Sequence, residues 1–318
     1  MNTTGITGPI EVQVGMVETL GQVLCFDLLP LGGALPRWQA GAHIDLFLGD
    51  GLVRQYSLCG DPADVSRYRL AVLLEAESRG GSRAVHRLVT PGTRLRIAPP
   101  RNLFPLSAGA RHSVLIGGGI GITPLIAMAY ELHDRGETFT LHYVARDTVF
   151  APVLAQSPFA DAVRIHDRGN AATPRFAPGS ALASGYDPNE THVYVCGPIG
   201  LMDAVADAAN QAGFPQANVH REAFSALPVA GGRSFEVLAA KSGVRVRVGA
   251  EEAITTALAR GGVRITVSCE QGICGTCVVN LLEGDADHRD EYLTEDERTD
   301  QIALCCSRAH SPLLVIDA

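Results

Sequence analysis

From residue 12 to residue 106 the apolar positions fall in short alternating runs broken by Gly and Pro: VQVGMVETL, LCFDLLPL, AHIDLFLG, RYRLAVLLE and TRLRIAPP. A period of two with turn residues at this spacing predicts an antiparallel sheet or small barrel. From about residue 110 the period changes. SVLIG runs into a Gly-rich turn and a helix over 123–134 that stops at Gly136, and FTLHYVA and VRIHD follow. HVYVC then leads into a helix over 198–212, with Pro198 in its first turn and Gly213 just past its end. This strand–helix alternation predicts a parallel sheet with helices on its faces. Beyond the Pro/Gly-rich stretch 228–232, SFEVLAA and VRVRVG flank Ser242-Gly243 as an expected hairpin. A helix over 251–260 and a strand, VRITVS, should come next.

Three changes of pattern in 318 residues suit two or three domains, and 46% hydrophobic residues are enough to give each a core. Lys+Arg 26 against Asp+Glu 34 gives −8, and no basic run is present to neutralise phosphates, which argues against nucleic acid or an anionic membrane as partner. The longest uncharged stretch, 113–130, contains four glycines and a proline and falls short of the ~20 apolar residues that span a bilayer. The N-terminus shows neither a charged nor an apolar export region, so a cytoplasmic protein with reduced thiols is expected.

Those thiols carry the most specific signal. Cys269-x4-Cys274-x2-Cys277 is followed by Cys305, and this is the plant-type ferredoxin spacing for a [2Fe–2S] cluster. Gly272 and Gly275 suit a loop that must turn tightly and aim N–H groups at sulfur. A zinc site would more often pair two C-x2-C knuckles, and a redox dithiol at Cys274 and Cys277 would leave Cys269 and Cys305 without a role. Cys305 and Cys306 are adjacent, and spacing does not decide between them.

Further motifs suit nucleotides. Arg54-Gln55-Tyr56-Ser57-Leu58 ends a strand with a cation, a ring and a hydroxyl that can neutralise a phosphate, cover a planar cofactor and bond its edge; an ordinary alternating strand is the competing reading. Arg79-Gly80-Gly81-Ser82-Arg83 opens a helix whose N–H groups and positive end suit a phosphate, unless Ser82 is simply its N-cap. Gly117-Gly118-Gly119-Ile120-Gly121-Ile122-Thr123-Pro124 puts close-approach backbone between a strand and a helix, where a pyrophosphate is held. A turn needs one glycine, so four favour a ligand. Cys196-Gly197-Pro198 stands at another strand end, where its thiol is either part of a ligand crevice or a small buried hydrophobe. Asp147 could accept from a ribose hydroxyl, and its charge would repel a 2′-phosphate.

Taken in order, R-Q-Y-S-L, R-G-G-S, G-G-G-I-G-I-T-P, Y-V-C-G-P, C-x4-C-x2-C and C-C-S-R-A resemble the phthalate dioxygenase reductase and vanillate O-demethylase reductase family over essentially the whole chain. The resemblance implies an FMN-binding antiparallel β-barrel (1–107), a ferredoxin-reductase-like parallel α/β domain for NADH (108–227) and a plant-type ferredoxin domain of β-grasp fold (228–318, with 228–232 as linker). It places Arg54, Gln55, Tyr56 and Ser57 at the flavin and Gly80, Gly81 and Ser82 at its phosphate. Gly118, Gly119, Ile120, Gly121 and Thr123, with Cys196, Gly197 and Pro198, would lie along the nicotinamide nucleotide, and Asp147 would favour NADH over NADPH. Phe224, in R-E-A-F, matches a family aromatic close to the flavin. The family's fourth cluster ligand begins C-x-S-R-A, which selects Cys305 beside Cys269, Cys274 and Cys277 and leaves Cys306 spare.

NADH gives up two electrons as a hydride, whereas a [2Fe–2S] cluster carries one, and a flavin between them converts the pair into single electrons. No acid–base residue is required, so Ser57, Cys196 and Phe224 are expected near the flavin and nicotinamide without a certain catalytic role. The leading expectation is the NADH-dependent reductase component of a two-component oxygenase that feeds a separate Rieske-type enzyme. The chain itself lacks the Cys/His pairs of a Rieske centre. Donation to a cytochrome P450, and a redox-sensing iron–sulfur regulator, are the alternatives. Charge adds one expectation: residues 269–318 hold eleven acids and three arginines, while 1–268 balance at 23 each. The acids cluster over 283–300, which predicts docking of a basic partner there.

Overall fold

The computed structural model describes residues 8–49, 52–76, 80–183, 185–224, 231–267, 272, 275–290 and 292–318. It divides into two compact units, Met1–Phe224 and Ser225–Ala318.

The first unit opens with β1 (Ile10–Leu20), β2 (Val23–Pro30), β3 (Ala42–Phe47), β4 (Val53–Ser57) and β5 (Tyr68–Leu73), then α1 (Gly81–Leu88), β6 (Arg94–Ile97) and β7 (Arg101–Asn102). The strands form an antiparallel sheet in the order β4-β3-β6-β1-β2-β5, with β7 on β3. Alternation drives it: Val12 and Val14 on β1 and Ile44 and Leu46 on β3 are buried, while the residues between them are more exposed or tied to polar neighbours. Just past β4, Cys59 donates its N–H to Arg69 O on β5 (3.0 Å), which brings the two ends of the sheet together as a barrel.

The same unit continues with β8 (His112–Gly118), α2 (Ile122–Asp134), β9 (Thr138–Ala145), α3 (Ala151–Ala155), β10 (Val163–Asp167), α4 (Pro178–Leu182), β11 (Thr191–Cys196), α5 (Ile199–Gln211) and β12 (Val219–Glu222). These five strands are all parallel, in the order β10-β9-β8-β11-β12. Barrel and α/β sheet, which sequence separates at 107/108, share one hydrophobic core running from Val12 to Cys196. Ala40 N–H donates to Glu131 Oε2 on α2 (2.7 Å), and Ser107 N–H to the Tyr194 hydroxyl on β11 (2.8 Å).

The second unit contains β13 (Phe235–Ala239), β14 (Val244–Val248), α6 (Ile254–Arg260), β15 (Val278–Glu283), β16 (Ala286–Asp287), β17 (Gln301–Ala303), β18 (Arg308–Ala309) and β19 (Leu313–Ile316). The main sheet runs β14-β13-β19-β15-β17, with β13 parallel to β19, and β16 pairs with β18 apart from it. This mixed sheet packed by one helix is the expected β-grasp arrangement. The hairpin at Ser242-Gly243 is present, with Gly243 at φ 67°. Two expectations need correction. The helix begins at Ile254 rather than 251, because the Glu252 carboxylate accepts from Gly249 N–H (3.0 Å) and from Arg260, which folds the preceding residues into a turn. VRITVS is not a ladder strand over its described residues 263–267; its alternation instead sets Ile265 and Val267 against the core as the chain approaches the cysteine loop. No helix among the described residues is long and apolar enough to cross a membrane.

Candidate functional site

Two motifs lying 27 residues apart meet on the barrel. Arg54 and Tyr56 share one face of β4, opposite Leu46 and Ile44 on β3. A Cβ added at Gly81 would stand 2.6 Å from Arg54 Cγ and 3.0 Å from its Nε, so the arginine stem lies across the first turn of α1. Gly80, in the left-handed region at φ 93°, is the N-cap and makes no side-chain cap bond, and the positive end of the helix dipole lies beside the Arg54 stem. Ser82 is not the cap: it lies inside the helix, and its hydroxyl accepts from Glu75 N–H (3.2 Å). A guanidinium at a helix N-terminus is an anion cradle, and the residues present fit a flavin phosphate. Burial pushes the Tyr56 phenol up to about 12, against the pull of Arg54, and keeps it neutral. Ser57 is buried at the strand end. Gln55 points the other way, donating to Asp45 (3.1 Å) beside His43, and only its backbone faces the cradle. Arg79 lies outside the described residues.

The second group lines the carboxyl edge of the parallel sheet, where nucleotides bind in open α/β folds. Gly118–Gly121 and Cys196–Pro198 come together there. A Cβ at Gly118 would meet Leu201 at 2.6 Å and Pro198 at 2.8 Å, one at Gly121 would collide with the Cys196 carbonyl, and one at Gly117 would meet Ile122 at 2.6 Å. Three of the four glycines are therefore accounted for by packing against neighbouring side chains and backbone, so their number alone does not imply a ligand. Gly119, at φ 57° with open space around it, is the one left facing outward. Ile120 packs on the core, and its carbonyl accepts from the Thr123 hydroxyl (3.0 Å). Asp147 is exposed just beyond β9, and its carbonyl accepts from the Tyr143 hydroxyl (3.2 Å). Phe224 packs half-buried on the shared core at the end of the unit.

Sequence reasoning missed Glu222. The parallel register of β11 and β12 sets it beside Cys196, and the thiol donates to Oε2 at 4.0 Å. Burial raises the Glu222 carboxyl from 4.5 to about 8, and burial with this neighbour raises the Cys196 thiol well above its ordinary value. Both are neutral at pH 7. The signal lay in R-E-A-F, where a glutamate enters a strand that must pair with Y-V-C. Because the folded carboxyl holds a proton that the unfolded chain releases above about 4.5, its contribution to stability is full below that pH and is lost as pH rises through about 8. Glu222→Gln should therefore raise the melting temperature at pH 8 by several degrees and flatten its dependence on pH; parallel melting curves for wild type and variant across pH 5–9 would refute this.

In the second unit, Val278 pairs with Ala303, and Leu304 N–H donates to the Cys277 carbonyl (3.3 Å), which brings Cys277 and Cys305 alongside each other, both buried. Cys269 and Cys274 lie outside the described residues. Between them Gly272, at φ 75°, has room for no side chain: a Cβ would meet Cys306 Sγ at 2.5 Å and Asp290 Cα at 2.9 Å. Gly275, at φ 69°, lies under the Tyr292 ring. The Cys306 thiol is 2% exposed and donates to Ala303 O (3.7 Å). Two buried thiols beside a glycine-turned loop fit a sulfur-ligated cluster.

Comparison with known proteins agrees with this geometry. The model of the 2Fe-2S iron-sulfur cluster binding domain matches residues 238–310. The chain is 45% identical to the vanillate O-demethylase oxidoreductase of Pseudomonas sp. (strain HR199 / DSM 7063), over 97% of this chain and 99% of that one. The solved structure of phthalate dioxygenase reductase, described as a modular structure for electron transfer from pyridine nucleotides to [2Fe-2S], aligns over 98% of both chains at 35% identity and TM-score 0.77. A type IV self-sufficient cytochrome P450 monooxygenase aligns with all of this chain at 35% identity and TM-score 0.80, over 43% of its own length.

Proposed function

Because this chain belongs to the family of vanillate O-demethylase oxidoreductase and phthalate dioxygenase reductase, we propose that it is the NADH-dependent reductase component of a two-component oxygenase. Electrons pass from NADH through FMN and a [2Fe–2S] cluster to a separate, Rieske-type terminal oxygenase. In this reading 1–107 carries the flavin, 108–227 the nucleotide and 228–318 the cluster. One observation carries it: a chain that lays Arg54 across the N-terminus of α1 in one unit also sets Cys277 beside Cys305 in the other.

Bound together, FMN and the cluster supply the conversion of an electron pair into single electrons. The chain binds, orients and shields. Arg54 and the N–H groups of α1 would hold the flavin phosphate, with Tyr56 and Ser57 of the same strand available to the ring. Gly119 lets the nucleotide approach the backbone, and Gly197 lets the two strand ends close on each other, since a Cβ there would meet Gly118 Cα at 2.8 Å. Cys196 and Glu222, both neutral, line the nicotinamide end without placing a fixed charge against hydride transfer. The exposed Asp147 accepts from a ribose hydroxyl and repels a 2′-phosphate, which selects NADH. Cys269, Cys274, Cys277 and Cys305 hold the cluster.

The test is composition and activity together. Purified protein should contain FMN, iron and sulfide, oxidise NADH with ferricyanide or cytochrome c, and convert no aromatic substrate alone. Unaided substrate oxidation would overturn the proposal. A second reading, donation to a cytochrome P450, is favoured by the full-length match within the self-sufficient monooxygenase; reconstitution with each class of oxygenase separates the two.

The acidic run gives the docking face. Glu283, Asp285, Glu295, Asp296, Glu297 and Asp300 are exposed, while Asp290 is buried and accepts from Leu293 N–H (2.8 Å). Of the three arginines in 269–318, Arg308 is buried and the other two are half-buried, with Arg289 on Asp287 and Arg298 on Glu295. The outward field is thus negative, and the partner should present a basic patch. The second-order rate of electron transfer should fall by roughly tenfold between about 0.05 and 0.5 M salt. A rate independent of salt would contradict docking through this face.

A further inference from the structure

We propose that Arg308 sets the reduction potential of the cluster: its buried guanidinium is a fixed positive charge that favours the reduced, more negative state. The inference rests on the assignment of Cys305 as a cluster ligand.

Arg308 follows Cys305 by three residues and is the largest fully buried side chain among the described residues, at 2% exposure. Its acceptors are backbone carbonyls. Nη1 donates to Glu252 O (2.9 Å), and Nη2 to Gly249 O (2.8 Å) and Arg233 O (3.1 Å). The Phe235 ring lies 5.2 Å from the guanidinium carbon, and Nε is buried with no hydrogen-bond partner. Among the described residues no carboxylate forms an ion pair with it. Asp287, its cross-strand neighbour, is engaged with Arg289 at 2.6 Å. Burial and the like charge of Arg289 hold its pKa below the usual arginine range, opposed at longer range by Glu251 and Asp287, yet a guanidinium remains charged at neutral pH.

A buried cation without a counter-ion costs folding free energy, so an arginine held only by carbonyls calls for a function. Clamping is one: Arg308 ties Arg233 and the 249–252 turn to β18. Its field is the other. Reduction of the cluster adds one electron from the reduced flavin and takes up no proton, so the net charge falls by one. Three residues of extended chain hold the two Cα atoms within about 10 Å, and the arginine and cysteine side chains add at most about 10 Å more; a unit charge at ~20 Å in a medium of effective dielectric ~20 still shifts a one-electron equilibrium by about fourfold. The exposed acids on the same unit act in the opposite sense, but water and salt screen them and do not screen Arg308.

The experiment is a redox titration of the holo-protein, followed by EPR and visible absorbance, on wild type, Arg308→Met and Arg308→Lys. At a fixed solution potential, Arg308→Met should shift the ratio of reduced to oxidised cluster by about fourfold or more towards oxidised. Arg308→Lys keeps the charge and loses the three-carbonyl fork; it should lower the melting temperature and leave the ratio within about twofold of wild type. An unmoved ratio in Arg308→Met, or a shift in Arg308→Lys as large as in Arg308→Met, makes the residue a clamp only and overturns the proposal. If Arg308→Met fails to fold, Arg308→Gln takes its place, since it removes the charge and keeps a donor for the carbonyls: a shift of about fourfold or more towards oxidised supports the field, and an unmoved ratio overturns it. Wild type that contains no iron and sulfide would overturn the ligand assignment itself, whereas a loaded cluster with an unmoved potential overturns only the role of Arg308.

Discussion

Cys305→Ser will yield a protein that still oxidises NADH with ferricyanide but has lost its iron and sulfide, with transfer to cytochrome c or the oxygenase down by roughly two orders of magnitude. Cys306→Ser will keep both. The expectation follows from geometry at adjacent residues. Cys305 stands beside Cys277, where Leu304 N–H meets the Cys277 carbonyl, and both thiols are buried together. The Cys306 thiol is committed elsewhere: it donates to Ala303 O and packs on Gly272 of the loop. A serine hydroxyl at 306 can make the same bond, so the loop keeps its support. At 305 an oxygen replaces a soft thiolate ligand, which the cluster does not retain. A cluster that survives Cys305→Ser and disappears in Cys306→Ser would exchange the two assignments.

Gly81→Val will be isolated without flavin. The added Cβ would stand 2.6 Å from Arg54 Cγ, and the branch beyond it needs more room still, so the arginine must leave the mouth of α1. Charge-assisted hydrogen bonds contribute about 1.5–3 kcal/mol each, so losing the guanidinium weakens FMN by about ten- to a hundredfold. Arg54→Met should reproduce this loss without blocking the cradle, and added FMN should then restore turnover. In Gly81→Val, ferricyanide and cytochrome c activities should fall together while the iron–sulfur absorbance remains, the reverse of Cys305→Ser. Full flavin occupancy in Gly81→Val would place the phosphate elsewhere.

What sequence made legible was whatever repeats or has a fixed spacing. Period-two runs gave the barrel strands, the change at residue 110 gave the parallel sheet, and the cysteine spacing gave the iron–sulfur domain. What it left hidden depends on register between distant segments. That Arg54 crosses Gly81, that Glu222 meets Cys196 and that Gly118 abuts Gly197 are all products of tertiary packing. The glycine run shows the difference: four in five residues looked like provision for a ligand, and three of them answer to neighbouring backbone and side chains. VRITVS shows it too, since alternation reports a chain lying on a core whether or not a neighbouring strand bonds to it. The charge count was correct as a sum, but only burial shows that Asp290 and Arg308 act inside the unit and do not contribute to its surface.

Anaerobic mixing of the holo-protein with NADH, with flavin absorbance and the cluster's EPR signal followed in time, tests the proposed electron path most directly. Transfer from NADH through flavin to cluster requires the flavin to bleach first and the one-electron cluster signal to grow as the flavin re-oxidises; flavin-free Arg54→Met should show neither until FMN is added. A cluster reduced by NADH at the same rate without flavin, or a flavin that bleaches while the cluster stays oxidised, would contradict it.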